Sequence, residues 1–138
     1  METKQHLEIK SEQDIILVRK IGRETAKNMG FSLIDQTRIT TSISELARNV
    51  VKYAGYGSIS IEVIHHYVPG LLIVVTDQGP GINSINKAME DGFTTSNSLG
   101  AGLPAVKRMM DEFIIVSDLH EGTSIQIVKW TQNTKNPL

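Results

Sequence analysis

The chain has 138 residues, of which 40% are hydrophobic, so it is long enough to fold as one domain with its own core. The chain has 14 Lys and Arg residues and 15 Asp and Glu residues, and it lacks the basic cluster typical of nucleic-acid binders, so we expect no nucleic-acid partner. The absence of cysteine excludes disulfides and thiolate zinc sites. The N-terminus has no apolar signal core and no run approaches the ~20 apolar residues of a membrane span, so we expect a cytoplasmic protein without a membrane partner.

Three elements are predicted in the first part of the chain. Alternating apolar residues over 7–9 predict a short strand. A capping pattern at Ser11 opens a helix that runs to Gly30, and a second at Ser32 opens a longer helix that runs to Gly55.

The rest of the chain alternates between strand and helix patterns. The expected order is a strand around 59–63, a turn at Pro69-Gly70, a buried strand at 71–75, a short helix at 83–91, a loop at 92–102, a helix at 103–112, and strands at 113–117 and 123–130. These elements predict an α+β two-layer sandwich with helices on one face of a mixed, mainly antiparallel sheet. We expect a single domain over 1–138, with its core at about 7–130 and a polar tail at 131–138.

The first motif with chemical potential lies on the second long helix. Glu45 and Asn49 are four residues apart, so they share one helix face. An amide oxygen suits Mg²⁺, and a carboxylate one turn away could act as a general base. An exposed polar stripe is the alternative for this pair alone. Arg48 points to a neighbouring face, where we expect a surface or partner contact.

The second motif, residues 77–81, ends the predicted central strand. The carboxylate of Asp77 could accept a hydrogen bond from the exocyclic amine of adenine, which guanine lacks at that position. Gly79 and Gly81 would let the backbone approach a ligand closely. A simple tight turn is the alternative, since Asp, Gly and Pro all favour turns.

The third motif is Gly100-Ala101-Gly102, before the helix that Leu103 begins. Free N–H groups at a helix start favour phosphate, although the same glycines could merely form a hinge. The three motifs occur together at predicted element ends, which favours a nucleotide site over three unrelated turns and stripes.

Four further side chains are candidates for this site, each with a structural alternative. Lys52 could reach phosphate or be a solvated lysine, and Tyr53 could pack on adenine or in the core. Thr123 could support Asp77 or an ordered water, or be an ordinary strand residue. Thr95 could meet the terminal phosphate if its loop closes, or be an ordinary loop residue.

The motifs occur in the order seen in the GHKL (Bergerat) ATP-binding fold of gyrase B, Hsp90, sensor histidine kinases and MutL. Across 7–130 the chain resembles the small serine kinases of bacterial partner-switching systems, and within them the RsbT-like switch kinases of the stressosome more than the anti-sigma kinases RsbW and SpoIIAB. The segments that carry the resemblance are 38–49, 77–82, 89–93, 99–104 and 106–113.

The resemblance implies Mg²⁺ and ATP as cofactors, Glu45 as the base and Asn49 as the metal ligand. It also implies an adenine site at Asp77 with Gly79, Gly81 and Ile82 beside it. The implied phosphate site is at 100–103.

The partners that the resemblance implies are STAS-domain proteins of the RsbS and RsbR type, as substrates and scaffold. A PP2C-type phosphatase regulator of the RsbU type would be the partner after release. An anti-sigma factor that sequesters a sigma factor is the alternative function. A histidine-kinase catalytic domain is disfavoured, because no helix pair with a phosphoacceptor histidine precedes the site.

Overall fold

The computed structural model describes residues 4–79, 102–118 and 122–132. Its elements are β1 (Lys4–Ile9), α1 (Glu12–Asn28), α2 (Leu33–Asn49), a π-turn (Val50–Ala54), β2 (Gly57–His66), β3 (Val68–Asp77), α3 (Leu103–Met109), β4 (Glu112–Asp118) and β5 (Gly122–Trp130). The predicted helix at 83–91, the predicted loop at 92–102 except for Gly102, and the last six residues of the tail lie outside the described residues.

The described strands form one sheet in the order β1-β2-β3-β5-β4. Every described pair of neighbouring strands is antiparallel. The expected mixed sheet therefore has no parallel pair among the described strands. β3 lies at the centre, as its continuous apolar run predicted. The predicted α+β two-layer sandwich is confirmed.

The core lies between the helices and one face of the sheet. Ile61 and Ile73 face it from neighbouring strands, and Ile39 and Ile43 face it from α2. Burial of each such side chain contributes about 1.5–3 kcal/mol relative to exposure. The middle helix α2 packs against both α1 and α3, so its position governs the helical layer.

Serine caps begin both long helices, as predicted. The Asp14 N–H donates to Ser11 Oγ at 3.3 Å, and the Asp35 N–H donates to Ser32 Oγ at 3.1 Å. At the first cap the Asp14 carboxylate accepts from the backbone N–H of Lys10 at 2.9 Å. The chain entry into α1 is therefore held from both sides of the cap.

The second helix changes type in its last turn. The α-helical pattern ends at Asn49, and the next five residues form a π-turn that ends at Gly55. The Gly55 N–H donates to the carbonyl of Val50 at 2.8 Å. The helical segment ends at Gly55 as predicted, but the apolar spacing did not predict the π-turn. Such turns are often found at functional sites.

The turn predicted at Pro69-Gly70 is wrong, because both residues lie inside β3 opposite His65 and Ile64. The chain reverses at Tyr67, whose φ is 68°. Pro69 precedes Gly70, the first residue of β3 that pairs with β5. The N–H that proline lacks is therefore not needed for the pairing of β3 with β5. Gly70 serves packing instead, since it lies against the ring of Trp130.

The third helix is shorter than predicted, ending at Met109 rather than Glu112. Asp111 redirects the chain into β4. Its N–H donates to the Val128 carbonyl at 2.9 Å, and its carboxylate accepts from the Trp130 N–H at 2.7 Å. These bonds to β5 compete with continuation of the helix.

A buried lysine joins the helical layer to the sheet. Lys129 on β5 is 8% exposed, and its Nζ donates to the carbonyl of Met109 at 2.9 Å. The same nitrogen lies 3.4 Å from Asp111 Oδ1 and 3.7 Å from Asp35 Oδ1. Lys129 thus ties the end of α3 to the start of α2, and loss of both carboxylates would leave its buried charge unpaired.

The contact between Gly70 and Trp130 provides a test of the corrected strand. A Cβ at Gly70 would lie 2.6 Å from Trp130 Cζ3, so Gly70→Ala should lower the free energy of unfolding by about 1–3 kcal/mol, a typical overpacking cost. Urea unfolding followed by circular dichroism measures this cost. In a Trp130→Leu background the same change should cost much less, and equal costs in both backgrounds would refute the contact.

Candidate nucleotide site

One end of the sheet presents a row of aligned residues toward the helical layer. Strand pairing places Gly57 opposite Asp77, Asp77 opposite Thr123, and Thr123 opposite Ser117. Asp77 follows buried Val75 by two positions, so both lie on the same face of β3. The sequence motifs gave Asp77 and Thr123 but not their alignment in one row.

The π-turn lies directly against this row because glycines leave room for it. A Cβ at Gly79 would lie 2.6 Å from the Cβ of Ala54. A Cβ at Gly122 would collide with the carbonyl oxygen of Asp77, and one at Gly57 would lie 3.2 Å from the Asp77 Cβ. Any larger residue at these positions would push the π-turn or β5 away from Asp77.

The Asp77 carboxylate serves both the turn and a possible ligand. Its Oδ1 accepts from the Gly79 N–H at 2.8 Å, which is the turn hydrogen bond that the structural alternative predicted. Its Oδ2 makes no hydrogen bond with another described residue. The turn therefore orients the carboxylate and leaves one oxygen for an amine donor.

Thr123 is held by a neighbour that sequence reasoning missed. Its Oγ1 lies 2.7 Å from Ser117 Oγ, which also donates to the Gly122 carbonyl at 3.1 Å. The Thr123 hydroxyl therefore bonds across to β4 rather than to Asp77. Only the pairing of β4 with β5 brings Ser117 here, and no local motif marks it.

Glu45 and Asn49 lie on α2, and Asn49 adjoins the π-turn that packs against the row. They are four positions apart, which corresponds to about 6 Å along the helix axis. Glu45 is 5% exposed, while Asn49 is half-buried at the junction with the π-turn. The Asn49 amide makes no hydrogen bond with another described residue, so its oxygen is available to a ligand.

Lys52 and Tyr53 lie together on the solvent side of the π-turn. Both are exposed, and Lys52 Nζ lies 5.4 Å from the centroid of the Tyr53 ring. The core alternative for Tyr53 is wrong, since the side chain is 49% exposed. The π-turn that follows Asn49 thus presents a charged group and an aromatic face to solvent.

The start of α3 carries the only described part of the second glycine motif. Gly102 has a φ of 75° and a ψ of −151°, a conformation that only glycine adopts readily. Leu103 is buried in the core, so a ligand could contact it only through its backbone. The candidate residues Gly81, Ile82, Thr95, Gly100 and Ala101 lie outside the described residues.

The donor set fits a magnesium ion that arrives with the nucleotide. Among the described residues, no three His, Cys, Asp or Glu side chains are grouped as a metal site. Mg²⁺ is commonly bound by one or two protein ligands together with phosphate oxygens and water. Asn49 could supply such a ligand while the triphosphate supplies others.

Residues 34–133 match the family of histidine kinase-, DNA gyrase B- and HSP90-like ATPases. The chain belongs to this family. The match spans α2, the sheet-end row and α3, which are the elements that hold the candidate site. The predicted GHKL membership and the ATP-binding fold are therefore confirmed.

Two curated relatives refine this assignment. The chain is 58% identical to the serine/threonine-protein kinase RsbT of Bacillus subtilis, over 88% of this chain and 92% of the relative. It is 31% identical to the anti-sigma F factor of a Thermoanaerobacter species, over 70% of this chain and 71% of that one. The chain is a protein serine/threonine kinase of the RsbT-like type, as the motifs predicted.

Solved structures show the same fold at low sequence identity. A Mycobacterium tuberculosis structure of RsbU and RsbW domains superposes with a TM-score of 0.63 at 17% identity, covering 92% of this chain and 32% of that one. The catalytic domain of histidine kinase ThkA gives a TM-score of 0.55 at 19% identity, covering 92% and 96%. Among the described residues no helix is long and apolar enough to cross a bilayer.

The orientation of Asp77 predicts base selectivity. Asp77→Asn keeps an oxygen for the Gly79 N–H but replaces the free acceptor with a neutral amide, so ATP binding should weaken by ~1.5–3 kcal/mol. Calorimetric titration with ATP and with GTP measures this, and Glu62→Gln, a carboxylate change on the opposite sheet face, is the control. Equal affinity of the parent chain for ATP and GTP would contradict the assignment.

Proposed function

We propose that the chain uses Mg²⁺-ATP to phosphorylate serine or threonine in a STAS-domain partner, within a cytoplasmic, stressosome-type partner-switching pathway. The 58% identity to RsbT over nearly the full length of both chains carries this proposal. The site supports it, because α2 carries a buried carboxylate and an amide without a hydrogen-bond partner among the described residues, and Asp77 at one end of the sheet is oriented by its turn.

Each candidate residue has a proposed role in this reaction. Asp77 accepts from the adenine amine, and Tyr53 packs on the base. Asn49 binds the magnesium ion and Lys52 contacts phosphate. The remaining backbone and hydroxyl contacts are assigned to Gly79, Gly81, Ile82, Thr95, Gly100, Ala101, Gly102, Leu103 and Thr123.

Glu45 is assigned the chemistry. A serine hydroxyl is a weak nucleophile at its own pKa and benefits from a positioned base. Glu45 lies one helical turn from the proposed metal ligand, and this spacing supports the proposal that its carboxylate reaches the terminal phosphate. Bound Mg²⁺ would neutralise the charge that develops on the phosphates.

The partners follow from the same proposal. RsbS- and RsbR-like proteins would be substrates and scaffold, and the chain released from them would bind and activate an RsbU-like PP2C phosphatase. Release would thus convert a local phosphorylation event into activation of a second enzyme.

The 31% identity to anti-sigma F factor supports a second candidate, sequestration of a sigma factor. Mixing the chain with labelled ATP and either a STAS-domain protein or a sigma factor separates the two. Labelled STAS protein without a stable sigma complex supports the first candidate, and a stable sigma complex without transfer supports the second.

The proposed base gives a kinetic prediction. Glu45→Ala should lower single-turnover transfer to a purified STAS-domain partner by ~10²–10⁴-fold, the usual contribution of a general base. ATP affinity should change little, since the carboxylate assists transfer rather than nucleotide binding. Full transfer activity would refute the base role. Proportional loss of binding and transfer would instead make Glu45 a structural or metal-positioning residue, and Glu45→Gln, which conserves volume, controls for packing.

A further inference from the structure

A groove of about 610 Å³ runs along the solvent side of the junction between α1 and α2. One wall is formed by α1 and the other by α2. Thr41, Ser44 and Arg48 of the α2 wall lie within about one helical turn of Glu45, the proposed base. The lining residues are Ile16, Arg19, Lys20, Arg23, Thr40, Thr41, Ser44, Glu45 and Arg48.

The groove carries an uncompensated positive charge. Its lining contains four cationic side chains and one carboxylate, Glu45, a balance of +3 in a chain whose net charge is −1. Among the described residues, none of these four cations lies within 4.0 Å of an acidic side chain. Charge of one sign concentrated in a concave surface attracts an oppositely charged ligand.

Two buried polar groups mark the wall of the groove on α2. Ser44 is 9% exposed, and its hydroxyl has no hydrogen-bond partner among the described residues. Glu45 adjoins it and is 5% exposed. A buried hydroxyl without a partner is costly unless a ligand completes its hydrogen bonding. The groove therefore combines surface cations with unsatisfied polarity beside the proposed base.

We propose that this groove docks an acidic segment of the acceptor protein and brings its serine or threonine hydroxyl to Glu45, a proposal that rests on the proposed kinase function. Arginine pairs with carboxylates through two parallel hydrogen bonds, which fixes direction as well as affinity. Ile16, which is 57% exposed, adds an apolar contact at the edge. These contacts favour a protein segment over a small anion.

The reaction that docking permits is balanced within the named groups. The acceptor hydroxyl oxygen forms a bond to the γ-phosphorus of ATP, and its proton passes to the Glu45 carboxylate. The bond between that phosphorus and the bridging oxygen breaks, and ADP leaves with the electron pair. The cationic side chains of the groove take no part in bond making, so they set acceptor affinity.

Charge reversal at two exposed positions tests the docking role. Arg19→Glu combined with Arg23→Glu should raise the KM for the unphosphorylated STAS-domain acceptor at least tenfold, while calorimetric ATP affinity stays the same. Lys4→Glu with Lys10→Glu is the matched control, since both lysines are exposed, lie outside the groove and give the same change in net charge. An unchanged KM in the groove variant would overturn the proposal.

Poly-L-glutamate of about 20 residues provides a probe that does not require the natural partner. It should bind the parent chain in calorimetry, compete with the STAS protein but not with ATP, and lose binding in the groove variant. Equal binding to both chains would overturn the groove assignment. Tight binding of an oligonucleotide of equal charge in place of polyglutamate would overturn the choice of an acidic protein segment.

The two arms also separate this inference from the proposed function. If the parent chain phosphorylates no STAS protein but binds polyglutamate through the groove, the kinase proposal fails and acidic-segment docking stands. If the parent chain phosphorylates a STAS protein with the same KM as the groove variant, the kinase proposal stands and the docking inference fails.

Discussion

The packing of the π-turn against the end of β3 determines the geometry of the whole candidate site. Gly79 admits Ala54, and Gly122 admits the Asp77 carbonyl, at distances that no side chain would permit. Because glycine backbone packs directly on these neighbours, the aspartate at the end of the central strand has a fixed position relative to the end of α2. The residues proposed to bind adenine and metal and to act as base, Asp77, Asn49 and Glu45, thus belong to regular elements rather than loops.

The helix α2 connects distant parts of the molecule. Asp35 in its first turn lies 3.7 Å from buried Lys129, which also binds the end of α3. Asn49 at its other end meets the π-turn, and Glu45 faces the groove shared with α1. One rigid helix therefore sets the nucleotide end, the proposed base and the start of α3 relative to each other. A change at the Lys129 cluster would alter this arrangement without touching a ligand.

The groove extends the site in the direction of a protein substrate. The proposed nucleotide contacts use one end of the sheet, while the cations of α1 are exposed on the helical layer. Glu45 is assigned a role in both regions. In this proposal, acceptor affinity changes through α1 without altering nucleotide binding.

Local signals predicted the elements with clear periodicity or caps. Ser11 and Ser32 marked both helix starts correctly, and the apolar run of β3 gave the central strand. Local sequence signals gave wrong predictions where tertiary contacts determine the conformation. Pro69-Gly70 has turn composition, yet Gly70 is needed against Trp130 and the chain turns at Tyr67 instead.

The candidate site was predictable in its residue types but not in its arrangement. Glu45, Asn49 and Asp77 follow from motif spacing, and the family match supports the fold around them. The contact of Ser117 with Thr123 depends on strand register between segments with no shared motif. The basic groove arises from two helices that pack side by side. Three of its four cations lie within 19–23 on α1 and the fourth, Arg48, lies on α2, so the sequence does not show that they line one groove.

We propose that one nucleotide site joins the end of β3 to α2. A crystal structure of the chain with Mg²⁺ and a non-hydrolysable ATP analogue would test this arrangement. We expect the adenine amine within hydrogen-bond distance of Asp77 Oδ2, and the metal bound by the Asn49 amide oxygen. Nucleotide bound with its base away from Asp77, or a metal that does not contact Asn49, would contradict it.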